Sequence, residues 1–302
     1  IIRDLWHLER NIVSPGIDQA FDYLMTLLPL TIYEYPTGEH VWTWIIPEAW
    51  ECHEAWLETT TGQRLIDYKD NPLHVISYSL PFEGMVSREA LFTHLHTHPT
   101  LPDAIPFVFK YYDRDWGICT SLEQKESLTD PFYRVCIRTS FTPSTLKVAE
   151  IVIPGESQAS FILVAHLCHP NQVNDDMPGV AVLMDLAEKL RKDNKHHYTY
   201  RFLILPETIG SVAWLSHNES LFPDMVGGLF LEMLGNDSSH ALQHSFFPDS
   251  QVDKVFRSAL PALDPQSYQA AYRTVINNDE RQFNAPGVRI PMLSISRVEP
   301  PG

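Results

Sequence analysis

The sequence predicts an α/β fold, a mostly parallel sheet flanked by helices with a smaller β-rich unit inserted. Three observations carry that prediction. The continuous apolar run 161–165 has the texture of a strand buried on both faces. It is followed by helical periodicity, with Val180, Leu183, Ala187 and Leu190 on one stripe. Residues 36–128 differ from the rest, being rich in Trp, Pro, His and Tyr.

In chain order, residues 1–35 read as helical. After the Ser14-Pro15-Gly16 turn, Ile17, Ala20, Phe21, Leu24, Leu27 and Leu28 recur at helical spacing. Within 36–128, the stretches 41–46 and 74–78 read as short strands between Pro and Gly breaks, hence a compact and mostly β unit. From 132 onward strand and helix alternate. Strands are expected at 149–153, 161–165, 201–205, 226–233 and 290–295, and helices at 178–190 and 212–217. Pro178 sits in the first turn of its helix. Such alternation implies a largely parallel sheet. Its ligand site belongs beyond the carboxyl ends of the strands. The expected division is one discontinuous domain of 1–35 and 129–302 around an insert of 36–128.

Lys and Arg number 22 against 38 Asp and Glu, a formal charge of −16. A surface this acidic disfavours nucleic acid and anionic membrane as partners. The four cysteines form no CxxC pair and read as reduced thiols of a cytoplasmic protein. Cys168 among them reads as a buried small hydrophobe. Residues 1–9 show no basic leader, and no apolar run is long enough to span a membrane. The opening Ile1 and the closing Glu299-Pro300-Pro301-Gly302 read as trimmed ends.

Three predicted strand ends deliver acidic or imidazole groups. They are Ala165-His166-Leu167-Cys168-His169-Pro170 with the following Asn174-Asp175-Asp176, then Leu205-Pro206-Glu207-Thr208, then Leu231-Glu232-Met233-Leu234-Gly235. Imidazoles with carboxylates suit Zn2+. A carboxylate left unligated can serve as general base. One of Asp175 and Asp176 is expected to cap the helix near Pro178, leaving the other for metal. The run His94-Leu95-His96-Thr97-His98 invites a metal reading, but Pro99 and Pro102 argue for a loop. The tryptophans Trp42, Trp44, Trp50 and Trp56 read as core of the small β unit rather than a sugar-stacking surface. No G-x-S-x-G elbow or G-x-G-x-x-G loop is present.

The motifs His169…Asp175-Asp176-x-x-Gly179, Glu207-x-x-Gly210-Ser211 and Glu232-Met233-x-Gly235 resemble the zinc aminopeptidases of the bacterial leucyl-aminopeptidase type. Leu167-Cys168-His169-Pro170, Asn71-Pro72-Leu73-His74-Val75 and Asp279-Glu280-Arg281 are similar to an aminopeptidase-like subfamily. Its members carry an inserted β-rich domain and a C-terminal winged helix, and often occur in polysaccharide or natural-product pathways. The resemblance covers nearly the whole chain. It implies hydrolysis of an amide or peptide bond, with Asp175 as metal-bridging aspartate, Glu232 as carboxylate ligand and Glu207 as general base. His169 is preferred over His166 as the ligand histidine, though both lie at the strand end. Thr208 stands where a second Glu would bind a second metal, which implies one Zn2+ rather than two. Asp279, Glu280 and Arg281 fall in the segment near the substrate amine and are expected to bind substrate. The family's last ligand histidine is expected after Gly302. The implied partner is a small amino-acid-bearing or peptide substrate, with self-association left open. The alternative is a non-catalytic binding protein, for carbohydrate or a protein partner, that keeps the peptidase fold.

Overall fold

The computed structural model describes residues 1–193 and 195–299. Pro300 to Gly302, read above as a trimmed end, lie outside the described residues. The chain divides into two compact units, one of 1–12, 16–46 and 145–302, the other of 13–15 and 47–144.

The larger unit is built on eight strands: β1 (Thr31–Pro36), β2 (Thr145–Ile153), β3 (Ser160–His166), β4 (Thr199–Leu205), β5 (Met225–Glu232), β6 (His240–Gln243), β7 (Tyr268–Ala270) and β8 (Met292–Arg297). They lie in the order β1-β2-β4-β3-β5-β8-β6-β7. The centre is parallel, β4 with β3, β3 with β5, and β5 with β8. Antiparallel strands β1 and β2 close one side, and β6 runs antiparallel to β8 on the other. Helices α1 (Pro15–Leu27), α2 (Met177–Lys192), α3 (Ile209–His217), α4 (Gln251–Leu263) and α5 (Glu280–Phe283) belong to this unit apart from the first residue of α1. The mixed α/β fold with a large sheet flanked by helices is as the sequence predicts.

Register sets up the site. His166 is level with Leu205, and Val164 is level with both Leu203 and Phe230. Two residues beyond Phe230 on the same face, Glu232 therefore ends β5 at the height where His166 ends β3. The interior of these strands is apolar and closed. Ile162, Val164, Ala165, Leu203, Ile204 and Phe230 are fully buried, and each large side chain there contributes about 1.5–3 kcal/mol of transfer free energy.

The predicted boundaries at 35/36 and 128/129 are corrected to 46/47 and 144/145. The reason is pairing. Thr31–Pro36 forms β1 on the large sheet, not the end of a helix, because it pairs residue for residue with β2. The short hairpin His40–Val41 with Trp44–Ile45 stays with that unit.

The smaller unit holds an antiparallel sheet in the order Arg64–Asp67, Ala49–Thr59, Phe132–Thr142, Phe82–Ser87. The strand expected at 74–78 is instead a 3-10 turn, Pro72–His74, capped by the Asn71 side chain, followed by isolated bridges at Val75 and Ser77. Pro72 at the turn start and an Asn cap favour that local closure over a ladder. Of the four tryptophans only Trp50 is core. It stacks on Tyr78 at 6.1 Å. Trp42 belongs to the larger unit and donates to Glu219. His94 stacks on Trp116, and the Nδ1 of His98 accepts from the Thr100 and Leu101 amides, as in a loop. None of the four cysteines is in a disulfide, and all are buried. Among the described residues no helix is long and apolar enough to cross a membrane.

Candidate active site

The site lies where β3, β4 and β5 end. Each loop that leaves them carries a non-glycine residue in the left-handed region, His169 at φ 84, Thr208 at φ 61 and Met233 at φ 52. Such residues cost about 1–3 kcal/mol each and cluster where function demands a fixed geometry.

His166 is fully buried. Its Nε2 lies 2.6 Å from Asp175 Oδ1, and its Nδ1 lies 3.3 Å from Asp279 Oδ2. Burial opposes protonation of this ring, but Asp175 and Asp279 outweigh it and hold its pKa well above the ordinary value. His169 Nε2 lies 3.8 Å from Asp175 Oδ1 and 3.1 Å from Glu207 Oε2. Its pKa is pushed to about 10, with burial opposed by Cys168 and Glu207. Asp175 falls to about 2 because His166 overcomes the effect of burial. Glu207 is lowered in the same sense, burial being outweighed by its bond to His169. Glu232 is the opposite case. Burial raises it to about 8, its Oε1 accepts from Asn278 Nδ2 at 2.9 Å, and its Oε2 is buried with no hydrogen-bond partner.

Two sets of residues have donor atoms mutually close enough to share a metal among the described residues. They are His166, His169, Asp175 and Cys168, His169, Glu207. The donor set fits a divalent cation. Asp175, Asp176, Glu207, Glu232 and Asp279 gather five carboxyls around two imidazoles in a nearly closed site. Of these, Asp175, Asp279 and Glu207 draw protons onto the histidines, and a cation answers the same field. The Oε2 of Glu232 is buried without a hydrogen-bond partner, and a cation there would supply one and favour the ionised carboxylate.

Of the two aspartates, Asp176 is the one that caps the helix. Asp176 Oδ1 accepts from the Gly179 amide at 3.0 Å, at the start of α2, and from the Met233 amide at 3.0 Å. A Cβ at residue 179 would come within 2.2 Å of Asp176 Oδ2, so only glycine admits this cap. Asp175 faces the imidazoles. Between the two histidines, His166 is the nearer to Asp175, although the motif pattern favours His169.

Asp279 and Glu280, expected at the substrate, are fully buried and committed to internal bonds. Asp279 Oδ1 accepts from the Thr208 amide and from Ser211 Oγ while Oδ2 faces His166. Glu280 accepts from the Asn278 amide and Gln243. Both are turned into the interior, so neither presents the exposed carboxylate that the expectation of substrate binding called for. Of the three only Arg281 retains surface; its Nη2 lies 3.4 Å from Thr208 Oγ1.

The sequence reading missed Arg10. It is fully buried and donates to the carbonyls of Leu167, His169 and Gln172 at 2.9, 2.9 and 3.2 Å. It thereby fixes the loop that carries the candidate histidine. Nothing around Glu9-Arg10-Asn11 marks this, since the contact spans 157 residues. Asn278, which holds Glu232, was also missed. Its nearness to Asp279 was the available signal.

Comparison with known proteins bears on the family and the fold. The model of the family DUF4910, a domain of unknown function, matches residues 1–300. A Clostridium acetobutylicum protein named for polysaccharide biosynthesis and an aminopeptidase-like domain is 34% identical over 297 residues, covering 98% of this chain and 68% of its own. A crystal structure from Clostridium acetobutylicum, of a protein named as a peptidase, superposes with a TM-score of 0.92 at 33% identity, covering 98% of this chain and 70% of that one. A zinc aminopeptidase from Bacillus subtilis superposes with a TM-score of 0.72 at 11% identity, covering 99% and 84%. The last shares the fold alone.

Proposed function

The chain belongs to the DUF4910 family, and from that premise we propose that it is a zinc-dependent hydrolase of an amide or peptide bond in a small amino-acid-bearing substrate. The observation that carries this reading is the convergence of His166, His169, Asp175, Glu207 and Glu232 at three adjacent strand ends.

His166 or His169, with Asp175 and Glu232, would hold the metal. When bound, zinc supplies Lewis acidity, polarising a carbonyl and easing loss of a proton from water. The protein's own contributions follow from its geometry. Glu207, ionised because its pKa is depressed, accepts the proton of the attacking water and returns it to the leaving amine. Asp279 orients His166 through Nδ1 and also holds the Thr208 amide, fixing the backbone next to Glu207. Thr208 follows Glu207 with a hydroxyl where a carboxylate would serve a second metal, which supports one zinc. That same residue favours the alternative, a binding protein that keeps the fold.

The deciding experiment measures zinc content and hydrolysis of aminoacyl p-nitroanilides. Glu207→Gln is expected to keep zinc and lose turnover by about 10²–10⁴-fold. Unchanged turnover overturns the role of Glu207. A zinc-loaded protein inactive on every aminoacyl amide tested moves the chain to the binding reading.

A further inference from the structure

A cavity of about 340 Å³ in the larger unit is lined by Phe246, Tyr272, Arg273, Arg281, Gln282 and Asn284 among others, and no carboxylate is among its lining residues. That is unusual ground in a chain carrying 38 acidic side chains against 22 basic ones. Neither Arg273 nor Arg281 forms an ion pair among the described residues. The carboxylate next to Arg281 in sequence, Glu280, is bonded to Asn278 and Gln243. The Arg281 Nε is buried without an acceptor, a group that costs about 1–3 kcal/mol left so. Arg273 is exposed and held at φ 62, a left-handed conformation that a non-glycine residue adopts only under constraint. Burial and the Glu280 carboxylate raise the Tyr272 phenol, and both guanidiniums stand close enough to oppose them. Phe246 is 60% exposed and packs edge-on against Tyr272, offering an aromatic wall. Arg281 also links this cavity to the candidate active site through Thr208, the residue after Glu207.

We propose that this cavity is an anion-recognition pocket, which takes a carboxylate or phosphate substituent of the substrate, its stem lying on Phe246 and Tyr272. Two guanidinium forks suit both anions, and the aromatic wall suits an apolar or planar stem. Naming the ligand a substrate substituent rests on the hydrolase reading above; the pocket's selectivity for anions does not.

The test is therefore calorimetric binding to the full chain, without turnover. N-acetyl-L-glutamate is compared with N-acetyl-L-glutamine, and N-acetyl-O-phospho-L-serine with N-acetyl-L-serine. Within each pair the shared α-carboxylate cancels. At least one anionic member is expected to bind tenfold or more tightly than its neutral partner, and whichever does so identifies the source of the anion. Arg273→Gln, at an exposed position, is expected to erase most of that preference, and Arg281→Gln the rest. Equal affinities within each pair, no binding by either anion up to millimolar concentration, or a preference untouched in both variants overturns the pocket. Aminoacyl amide inactivity with the preference intact would instead count against the hydrolase reading alone.

Discussion

The Nε2 of His166 lies 2.6 Å from the Oδ1 of Asp175, so two groups from the ends of one loop already share a charge at the bottom of the site. Nδ1 of the same ring is met by Asp279. Zinc affinity should therefore depend on all three residues, in two grades. His166→Ala removes a donor and is expected to abolish stoichiometric zinc. Asp279→Asn keeps the donor but loosens its orientation, and should weaken zinc by about 10–100-fold while stoichiometry is retained. Competition with a graded chelator series reads both. Full zinc affinity in His166→Ala would shift the ligand histidine to His169.

Cys168 separates the two metal-competent sets. Its Sγ accepts from the Glu207 amide at 3.1 Å and lies 3.9 Å from His169 Nε2. With the sulfur serving the Glu207 backbone, cobalt-substituted protein is expected to lack an intense sulfur-to-metal charge-transfer band, and Cys168→Ser to leave the spectrum unchanged. A strong band lost in Cys168→Ser would place the metal with Cys168, His169 and Glu207.

Glu280 gives a pH signature. Burial raises its pKa from 4.5 to about 7. A carboxyl with a raised folded pKa contributes stability that is complete below the unfolded value and lost as pH climbs through the folded one. The loss falls between about pH 4.5 and 7, and the gap corresponds to about 3 kcal/mol. Glu280→Gln should thus be more stable than the parent at pH 8, by about 1–3 kcal/mol, with the advantage gone at pH 4.5. Denaturant titrations at the two pH values decide it; parallel curves would remove the burial argument.

Arg10 tests the loop itself. Arg10→Met fills the volume but strands the carbonyls of Leu167, His169 and Gln172. The expected cost is about 3 kcal/mol or more of stability, together with weaker zinc binding. Intact zinc affinity in a destabilised Arg10→Met protein would limit Arg10 to a role in folding.

What was legible in the sequence follows what side chains can announce locally. The runs ending at His166, Leu205 and Glu232 are apolar without alternation, so the buried parallel centre and its polar ends stood out. Short strands β6 and β7, at the edge, bury too few residues to leave a pattern and were not anticipated. Helix α4 went unread although its N-cap Ser250 was available. Asp279 and Glu280 were expected at the substrate because their segment resembles the one near the substrate amine in the aminopeptidases; their complete burial comes from partners up to 113 residues away. That one of Asp175 and Asp176 caps the helix was legible; which one it is came only from hydrogen bonding, with Asp176 on the Gly179 amide.

The Arg10 clasp also bears on how the molecule is made. During synthesis the guanidinium emerges 157 residues before the carbonyl of Leu167 exists to receive it. For that interval it remains hydrated, and the histidine loop has no fixed shape until its earliest and later segments meet. A translation fragment ending before Leu167 carries the clasp without its loop, and one starting after Arg10 carries the loop without its clasp. The carboxyl end of the central strands is in this sense a joint between nascent and finished chain, and split halves cut between them should regain metal binding only when mixed.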